Sequence, residues 1–472
     1  MPHTENRSVV LINPRSTYVD EIAQKCYPPM HLLYLAAALR ARGYVPSVID
    51  ANAFRMRDDE ILREVRSAAP LLVGLPVYSE ILKQVRDITV RISRELPGVP
   101  VVLGGPHATA VPEQTLSQFS SADHVLAGEA EESLPALCDA LCAGTEVSGI
   151  PGLYNRAKTG AASGLSPGIP DINTIPHPAR DLVARAYDEK RYYSILVRQR
   201  PLDTLFTSRG CPFHCGFCYN FRFQYRARSP GDVVQEMAAI RDGGIRNIEI
   251  CDDTFTINED HAAGILDLVI AEKLDVSLRI KSRVDVFTEN LARKAKQAGV
   301  YLVAFGMESG SQRILDAMSK GITLEESARA CELARRYGIL SHSSWVLGYP
   351  GETLETVEET MRFILKNRPD TLNMDVLLPY PNTPAYETAQ SAGTLMGEWS
   401  PDAEELPWVR LPWAPERRLL DAACRKVLRR VTFSPHYIGS FSRIILRNAN
   451  LPLFRYALQE TMNLCFRGKR LR

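Results

Sequence analysis

The feature that most constrains the fold is a series of short apolar runs, each followed by a segment with helical periodicity, and this series occurs twice. The strand candidates of the first series begin at Ser8, Val45, Leu71, Pro100 and His124. Strands that alternate with helices predict a doubly wound, Rossmann-like parallel sheet in an α/β fold. In such sheets ligands bind beyond the carboxyl ends of the strands.

The second series predicts a different α/β architecture. Its strand candidates begin at Leu202, Asn247, Ser277, Tyr301, Ser341 and Thr371. Six strands with helix-like or irregular connections suit an open, partial (β/α)6 barrel of the TIM type. We therefore divide the chain into a Rossmann-like domain at 1–150, a Pro/Gly-rich linker or strap at 151–200, a partial barrel at 201–390 and a helical C-terminal region at 391–472.

Composition excludes several classes of protein. The chain has 45% apolar and 24% charged residues, which is the ordinary balance of a globular protein, and its net charge of +1 gives no reason to expect nucleic acid or an anionic membrane as a partner. No run reaches the roughly 18 apolar residues of a transmembrane helix, and the N-terminus has no apolar signal core. We therefore expect a cytoplasmic protein with reduced thiols.

Three of the 10 cysteines lie in one short stretch, "TSRGCPFHCGFCYN", as CxxxCxxC. Cys211, Cys215 and Cys218 follow the first strand of the second series. Structural zinc usually takes four ligands in two separated pairs, and His214, the nearest fourth ligand, lies awkwardly inside the loop. A [4Fe–4S] cluster held by three cysteines leaves one iron open for chemistry. The spacing favours the cluster over zinc or coincidental packing.

At this point the chain resembles a known family. The CxxxCxxC loop, "ICDDTF", "GMESG" and "VLGYPGET" stand at successive strand ends, as in the radical S-adenosylmethionine (SAM) enzymes. The N-terminal stretches "VVLGGPHATAVPE" and "HVLAGEAEESLPAL" resemble the cobalamin-binding domain that is fused to one radical SAM subclass. The resemblance implies a [4Fe–4S] cluster, SAM and cobalamin as cofactors. An external one-electron donor of the flavodoxin or ferredoxin type is implied as a partner.

The resemblance also assigns roles to single residues of the barrel. Cys211, Cys215 and Cys218 would hold the cluster. For SAM it implies Phe217, Gly348 and Pro350 at the adenine, Asp252 or Asp253 at the amino end, Arg283 at the carboxylate, and Glu308 at the ribose or amino group. The alternatives are a helix cap for the aspartates and a surface position for Arg283. A carboxylate that ends an apolar strand, as Glu308 does, needs a partner.

For cobalamin, the resemblance implies contacts in the first domain. The candidates are Gly74, Tyr78, Gly104, Gly105, His107, Gly128 and Glu129. Gly104 and Gly105 would let the backbone approach the nucleotide tail. No DxHxxG motif is present, so the cobalt would lack a histidine ligand and cobalamin would bind base-off/His-off. His107 would then line the wall of the site, with capping of the following turn as the alternative.

The resulting hypothesis is a cobalamin-dependent radical SAM methyltransferase. It would methylate an unactivated carbon, less often phosphorus, of a small molecule or lipid through a deoxyadenosyl radical and methylcobalamin. The alternative is a ring-forming or ring-rearranging enzyme with the same cofactors. RNA methylthiolation is disfavoured because the chain lacks a second cysteine cluster and a basic face. A cobalamin sensor without chemistry would not need the CxxxCxxC loop.

Further candidates remain open at the barrel. His342, Trp345 and Tyr380 could line a substrate pocket, although core packing is favoured for Trp345. Cys251 abuts the "DD" pair at the barrel mouth. The three arginines after the cysteine loop could bind an anionic group or lie on the surface; they are Arg222, Arg226 and Arg228.

Overall fold

The structure is a computed structural model that describes residues 6–16, 25–147, 149–156, 164–194, 197, 199–219 and 223–448. The chain forms two compact units. The first unit comprises Met1–Tyr193 and Glu398–Glu404, and the second comprises Ser194–Gly397 and Glu405–Arg472.

The first unit is built on a six-stranded sheet in the order β2-β1-β3-β4-β5-β6. Its strands are β1 (Ser8–Asn13), β2 (Val45–Asp50), β3 (Leu72–Pro76), β4 (Val101–Gly104), β5 (His124–Leu126) and β6 (Leu153–Asn155). The first five strands are parallel, which confirms the predicted doubly wound sheet. β6 pairs antiparallel with β5 and was missed, because three residues are too few to show a periodicity.

Eight helices accompany this sheet in the described part of the first unit. They are α1 (Met30–Ala41), α2 (Ala51–Phe54), α3 (Asp58–Ala68), α4 (Leu82–Glu95), α5 (Gly105–Ala110), α6 (Pro112–Gln118), α7 (Ser133–Ala143) and α8 (Ala184–Asp188). The amphipathic pattern explains how they pack: α4 buries Leu82, Val85, Ile88 and Ile92 on one face. Short βα connections leave α5 directly after β4, so its first turn lies at the carboxyl edge of the sheet.

Two segments lie along the first unit without belonging to its sheet core. In the Pro/Gly-rich segment, the backbone N–H of Ala179 donates to the carbonyl of Leu33 at 3.1 Å, and Tyr193 exchanges two backbone hydrogen bonds of 2.8 Å with Cys26. The second segment, Glu398–Glu404, comes from the far end of the chain, and Gln118 Nε2 donates to the Trp399 carbonyl at 2.8 Å.

The second unit contains a six-stranded sheet in the order β14-β13-β12-β11-β10-β7. Its strands are β7 (Leu202–Leu205), β10 (Asn247–Ile250), β11 (Ser277–Ser282), β12 (Val300–Glu308), β13 (Leu340–Leu347) and β14 (Thr371–Val376). All neighbours are parallel, and each strand pairs with the next along the chain, so the partial (β/α)6 barrel is confirmed. Two short antiparallel pairs join β8 (Ser208–Arg209) to β9 (Arg226–Ala227) and β15 (Leu395–Met396) to β16 (Trp408–Val409).

Helices cover the outer face of this sheet and form the C-terminal region. They are α9 (Pro230–Asp242), α10 (Glu259–Ala271), α11 (Glu289–Gln297), α12 (Gln312–Ala317), α13 (Leu324–Arg336), α14 (Leu354–Asn367), α15 (Pro384–Ser391), α16 (Arg417–Thr432) and α17 (Pro435–Asn448). A helical C-terminal region is confirmed over Arg417–Thr432 and Pro435–Asn448, and residues 449–472 of the predicted region lie outside the described residues. The expectation that it starts near residue 391 and lacks strands is wrong, because prolines at 401, 407, 412 and 415 exclude a helix there and β15 pairs with β16.

Across the described ranges, we find no helix that combines the length and the apolar character needed to cross a membrane.

Candidate functional site

The cysteine loop lies between β8 and β9 in the second unit. Cys215 is buried, whereas Cys211 and Cys218 are half-buried. The N–H of Cys218 donates to the carbonyl of Cys215 at 3.0 Å, and the N–H of Gly216 donates to the carbonyl of Met318 at 2.7 Å. The loop is thus held by a backbone turn and by the segment after α12.

The loop offers the right donors for an iron–sulfur cluster, although the thiols do not yet converge. Within the described ranges, no three His, Cys, Asp or Glu side chains form an arrangement that could hold a metal ion. Burial is the main reason why the pKa of Cys211 is raised above that of an ordinary cysteine thiol. Three thiols in one short loop match the donor set of a cluster with three cysteine ligands.

Arg283 is a central contact of this loop. It lies just after β11 and is 4% exposed, so the alternative of a surface arginine is wrong. Its Nε and Nη2 each donate to Asp285 at 3.0 Å, and Nη2 also donates to the carbonyl of Lys320 at 2.9 Å. Nη1 lies 3.8 Å from Cys215 Sγ, and the guanidinium carbon lies 3.6 Å from the centre of the Phe213 ring. A fixed positive charge therefore adjoins the central thiol.

A buried ion pair stands at the end of β12. Lys320 Nζ donates to Glu308 Oε1 at 2.8 Å, and both residues are almost inaccessible, at 6% and 7% exposure. The predicted need of Glu308 for a partner is confirmed, but Lys320 was not identified from the sequence. Glu308 has a φ of 60°, a left-handed conformation that is uncommon for a non-glycine residue. A Cβ atom at Gly306 would lie 2.5 Å from Glu308 Oε1, so only glycine leaves room for this pair.

The two aspartates after β10 differ in their burial. Asp252 is buried, and its oxygens accept hydrogen bonds from Thr207 N at 2.7 Å, Thr207 Oγ1 at 2.5 Å and Ser208 Oγ at 2.7 Å. Burial raises the pKa of Asp252, and these hydrogen bonds oppose that shift. Asp253 is exposed. The helix-cap alternative is wrong for both, because the side chain of Asn258 caps α10.

The loop after β13 carries a buried carboxylate that sequence reasoning missed. Gly348, with a φ of 100°, donates its N–H to Glu352, which is 3% exposed. Trp413 Nε1 donates to the backbone carbonyl of Glu352 at 2.9 Å. Pro350, which lies between Gly348 and Glu352 in the sequence, is half-buried. Burial raises the pKa of Glu352 to about 7. The signal in the sequence was present in "GYPGET", but glutamate at this place is also typical of an ordinary helix start.

The inner face of the barrel carries a polar ladder on β13 and β14. His342 contacts Thr371 Oγ1 through Nδ1 at 2.9 Å and Asn373 Oδ1 through Nε2 at 3.0 Å. Ser344 Oγ also donates to Asn373 Oδ1 at 2.8 Å, and Asn373 Nδ2 donates to Asp375 at 2.7 Å. Because a carboxylate only accepts, the amide orientation is fixed, and His342 Nε2 must be the donor.

Two other candidates of the late strands lie elsewhere. Trp345 is 1% exposed on the opposite face of β13, where its ring meets Phe363 of α14 at 6.1 Å between centroids. The favoured core role of Trp345 is therefore confirmed. Tyr380 is half-buried, and its carbonyl accepts from Thr383 Oγ1 at 2.7 Å, just before α15 begins.

The remaining candidates near the cysteine loop are largely structural. Arg228 is buried, donates to Asp232 at 2.6 Å and to the Phe206 carbonyl at 2.9 Å, and pairs with the buried Glu236. A role as a surface or anion-binding arginine is therefore wrong for Arg228. Arg226 is half-buried in β9, and Arg222 lies outside the described residues. Burial raises the pKa of Cys251 to about 12, so this thiol remains protonated.

In the first unit, His107 lies at the carboxyl edge of the sheet. Its ring Nδ1 is 2.8 Å from Ser79 Oγ, and the residue is 1% exposed. Nε2 is buried and has no hydrogen-bond partner among the described residues. Capping of the following turn, the alternative role, is wrong, since α6 has no side-chain cap.

Burial lowers the pKa of His107 to about 4, so the imidazole is neutral near pH 7. A buried polar atom without a partner fits a site that receives a polar ligand group.

Tyr78 and Gly105 lie beside His107. Tyr78 is half-buried against His31, with an edge-to-face distance of 5.9 Å between ring centroids. Gly105 has a φ of 91°, and a Cβ there would lie 3.1 Å from the backbone of Val77, so the turn requires glycine for its own closure. At Gly104 the nearest atom to where a Cβ would stand is the backbone oxygen of Leu126, at 3.6 Å, so this position is less crowded.

The other glycine and glutamate candidates of this unit contact the chain itself. Ser166 fills the space beside Gly128, with its carbonyl oxygen 2.8 Å from where a Cβ would stand. Glu129 accepts the N–H of Ile169 at 2.8 Å. At Gly74 the nearest atom is a methyl group of Leu11 at 2.9 Å. Gly128 and Glu129 thus hold the Pro/Gly-rich segment against the sheet.

Comparison with known proteins identifies two domain families in the chain. The Radical SAM superfamily matches residues 205–364, and the B12 binding domain matches residues 17–138. The chain is 33% identical over 393 residues to an uncharacterized methyltransferase of Pyrococcus horikoshii, covering 82% of this chain and 84% of that protein. It is 28% identical over 373 residues to the anaerobic magnesium-protoporphyrin IX monomethyl ester cyclase of Rubrivivax gelatinosus, covering 76% of this chain and 66% of the cyclase.

The fold is shared with a solved structure, that of the radical SAM methyltransferase TsrM from Kitasatospora setae with cobalamin and a [4Fe–4S] cluster bound. The TM-score is 0.72 at 23% identity, and the match covers 91% of this chain and 89% of that one. The fold and the two domains define a radical SAM enzyme that uses a [4Fe–4S] cluster, SAM and cobalamin. More particularly, the chain belongs to the same family as the uncharacterized methyltransferase of Pyrococcus horikoshii.

Proposed function

We propose that the protein is a cobalamin-dependent radical SAM methyltransferase that methylates an unactivated carbon, less often phosphorus, of a small molecule. The observation that carries the proposal is the match over 82% of the chain to a relative named a methyltransferase. When bound, the cluster with SAM supplies a carbon radical and cobalamin supplies a methyl donor. The protein residues bind, orient and shield these groups.

The residue roles follow from the two units. We assign the cluster to Cys211, Cys215 and Cys218, with Arg283 as a positioning residue that holds the central thiol. Phe217, Asp253 and Glu308 are assigned to SAM, together with the loop from Gly348 to Pro350. Asp252 shapes the start of the cysteine loop, since its carboxylate oxygens accept from Thr207 and Ser208. These assignments put SAM binding in residues 201–390.

Cobalamin is assigned to residues 1–150, at the carboxyl edge of the first sheet. His107 Nε2 offers a buried polar atom, and Tyr78 and Ser79 lie next to it in the loop after β3. Gly104 and Gly105 form the turn that brings α5 to this edge. The sequence lacks the DxHxxG motif, so this assignment corresponds to base-off/His-off binding.

The polar ladder of β13 and β14 supports a substrate that forms hydrogen bonds. Its members are half-buried or exposed on the inner face, and the ladder ends in the exposed carboxylate of Asp375. An apolar lipid against this surface would strip water from the exposed carboxylate of Asp375 without replacing it, which costs at least about 1–3 kcal/mol. We therefore favour a polar small molecule over a lipid.

A ring-forming or ring-rearranging enzyme is the second candidate, and the similarity to the Rubrivivax cyclase favours it. That relative extends well beyond the matched region, since the chain covers just under two thirds of its length. Both candidates share the cofactors and the cysteine loop, so the difference lies in the substrate pocket. Either reaction takes electrons from a donor, for which we propose a flavodoxin or ferredoxin type.

The experiment is an anaerobic reconstitution of the full chain with iron, sulfide and hydroxocobalamin, followed by SAM and a strong reductant. Bound cobalamin is read from the visible spectrum. Deoxyadenosine and S-adenosylhomocysteine, the product left when SAM gives up its methyl group, are measured by mass spectrometry. A Cys215→Ala variant serves as the matched control for cluster-dependent products.

The two candidates give different products. Methyl transfer predicts that S-adenosylhomocysteine and deoxyadenosine form together. Formation of S-adenosylhomocysteine should depend on bound cobalamin, and formation of deoxyadenosine should depend on the cluster. Deoxyadenosine with bound cobalamin but without S-adenosylhomocysteine would instead support the ring-forming candidate. A folded, cluster-loaded protein that binds no cobalamin would contradict the assignment of the first unit.

A further inference from the structure

The turn between α16 and α17, residues 433–438, exposes two large apolar side chains. Phe433 follows the last residue of α16 and is 46% exposed, and Ile438 lies in the first turn of α17 and is 54% exposed. The N–H of Phe433 donates to the Arg429 carbonyl at 3.1 Å, and the N–H of Ile438 donates to the Ser434 carbonyl at 3.1 Å. Single exposed apolar residues are common on protein surfaces, whereas two on one short turn call for a physical reason.

The helix that leads into this turn is strongly basic. α16 carries six basic residues and one acidic residue, Asp421, which is buried and pairs with Arg417. Arg429 and Arg430 occupy its last turn, both are exposed, and neither contacts a carboxylate among the described residues. The net charge of +1 for the whole chain does not reveal this surface, because the positive charge is concentrated on one helix.

Two further arginines reach the turn from the neighbouring helices. Arg335 lies in the last turn of α13, Arg368 follows α14, and both are exposed. Burial lowers the pKa of His436, inside the turn, and the positive charges of Arg368 and Arg335 lower it further. Asp370 opposes them, but its carboxylate already accepts a hydrogen bond from Ser440 at 3.1 Å. Positive charge therefore surrounds the two apolar side chains.

Helix geometry accounts for only part of this arrangement. Basic residues in a last helical turn complement the helix dipole, which explains Arg429 and Arg335. The dipole gives no reason for Phe433 and Ile438, whose exposure to water costs free energy. A second copy of this chain would cover them, but a symmetric contact would bring the arginines of both copies together. The surface therefore fits a partner that is both apolar and negatively charged.

We propose that the α16–α17 turn docks on an anionic membrane surface, with Phe433 and Ile438 in the lipid interface and Arg429 and Arg430 at the headgroups. Interfacial segments combine apolar side chains at the acyl boundary with basic side chains near the lipid phosphates. A nucleic acid would attract the arginines, but its phosphates would gain nothing from the aliphatic side chain of Ile438. The proposal goes beyond the proposed function, because it names where the enzyme binds and leaves its substrate and reaction open.

The test is sedimentation of the full-length protein, reconstituted with iron, sulfide and hydroxocobalamin, with sucrose-loaded vesicles. Anionic vesicles contain phosphatidylglycerol and phosphatidylcholine in equal parts, and neutral vesicles contain phosphatidylcholine alone. The two double variants are Arg429→Gln/Arg430→Gln and Phe433→Ser/Ile438→Ser. Matched controls change exposed residues of similar chemistry in the first unit, and they are Arg63→Gln/Arg94→Gln and Val45→Ser/Val90→Ser. All four variants change exposed side chains, so urea unfolding should show wild-type stability.

The expected result is binding that depends on both kinds of side chain. Wild type should sediment with anionic vesicles, remain in the supernatant with neutral vesicles, and be released as the salt concentration rises. Loss of Arg429 and Arg430 should lower the partition coefficient by about 10- to 30-fold, since each basic residue near an anionic surface contributes about fivefold. Loss of Phe433 and Ile438 should lower it by at least about 10-fold. Both controls should bind as wild type does.

A second measurement reports insertion directly. In Phe433→Trp, brominated phosphatidylcholine in anionic vesicles should quench the fluorescence of the added indole beyond the quenching of the four native tryptophans in wild type. Val90→Trp, in the first unit, is the control and should show no added quenching.

Three results would overturn the proposal. The first is a wild-type protein that stays in the supernatant with anionic vesicles. The second is binding that falls in the arginine variant but not in the apolar variant, because a purely electrostatic surface would indicate nucleic acid or an acidic protein as the partner. The third is the absence of added quenching in Phe433→Trp. The measurements need neither SAM nor substrate, so a failure of the methyltransferase proposal is observed separately.

Discussion

Asp252 and Thr207 are joined by two hydrogen bonds, one from the backbone N–H and one from the hydroxyl, of 2.7 and 2.5 Å. Asp252 follows β10, and Thr207 precedes the strand that leads into the cysteine loop. The carboxylate therefore fixes the direction in which the chain enters the loop. This connection crosses between two neighbouring strand ends of the barrel.

The first prediction concerns Asp252→Ala. It leaves the donors of Thr207 and Ser208 buried without an acceptor, so the free energy of unfolding should fall by about 2–4 kcal/mol. Urea denaturation measures this loss, and the iron content after reconstitution should fall with it. The neighbouring variant Asp253→Ala is the control for stability and should stay within about 0.5 kcal/mol of wild type, because Asp253 is exposed. Equal losses in both variants would contradict this division of roles.

The second prediction uses the buried carboxylate of Glu352. Its pKa is raised from 4.5 to about 7 by burial, so the folded state binds a proton more strongly than the unfolded state between these values. Stability is therefore full below about pH 4.5 and is lost as the pH rises through 7. From pH 5.5 to 8.5 this loss amounts to about 2 kcal/mol.

Glu352→Gln tests that dependence, since the amide oxygen can still accept the Gly348 N–H. The variant should gain stability relative to wild type as the pH rises, and the difference between the two proteins should grow by about 2 kcal/mol over this range. Urea unfolding at pH 5.5, 7 and 8.5 measures it. If the free energies of unfolding of variant and wild type changed in parallel from pH 5.5 to 8.5, the carboxylate would already be ionised at pH 5.5 in the folded protein. That result would refute the prediction.

The third prediction concerns Arg228, which the sequence suggested as an anion-binding or surface residue. Arg228→Ala leaves Glu236, which is 1% exposed, as an unpaired buried charge, and should destabilise the protein by about 3–5 kcal/mol. In the double variant Arg228→Met/Glu236→Met much of this loss should be recovered, because both charges are removed. Thermal or urea unfolding separates the two cases. A stable Arg228→Ala protein would leave the anion-binding role open again.

The sequence predicted the sheets well because apolar runs and helical periodicity are local signals. All five parallel strands of the first unit and all six of the barrel lie where the alternation placed them. The cofactor loop was equally visible, since its three cysteines lie close together in the chain. These features need no knowledge of which distant residues meet.

The features that the sequence did not predict depend on contacts between residues that are distant in the chain. Lys320 reaches Glu308 because α12 and the left-handed Ser319 turn the chain back toward β12, and no periodicity reveals that return. Glu352 has the pattern of a helix start, and only the fold brings Trp413, 61 residues later, into hydrogen-bonding contact with its backbone carbonyl. The segment Glu398–Glu404 belongs to the first unit although it follows the barrel in sequence.

The last prediction concerns His107 and cobalamin. The imidazole is neutral at pH 7 because burial lowers its pKa to about 4, and Ser79 occupies Nδ1, so Nε2 remains for a polar group of the cofactor. His107→Leu should weaken hydroxocobalamin binding by about 5- to 10-fold, the effect of one lost hydrogen bond between neutral groups. His107→Gln, which keeps an amide donor and acceptor, should lose less.

A titration followed by the visible spectrum of hydroxocobalamin measures these affinities. The exposed His177 provides the matched control, and His177→Leu should bind cobalamin as wild type does. Because the pKa of His107 is about 4, the affinity should stay constant between pH 6 and pH 8. An affinity that rose or fell tenfold in that interval in wild type but not in His107→Leu would show that the imidazole titrates there. Wild-type affinity in His107→Leu would place cobalamin away from this edge of the first sheet.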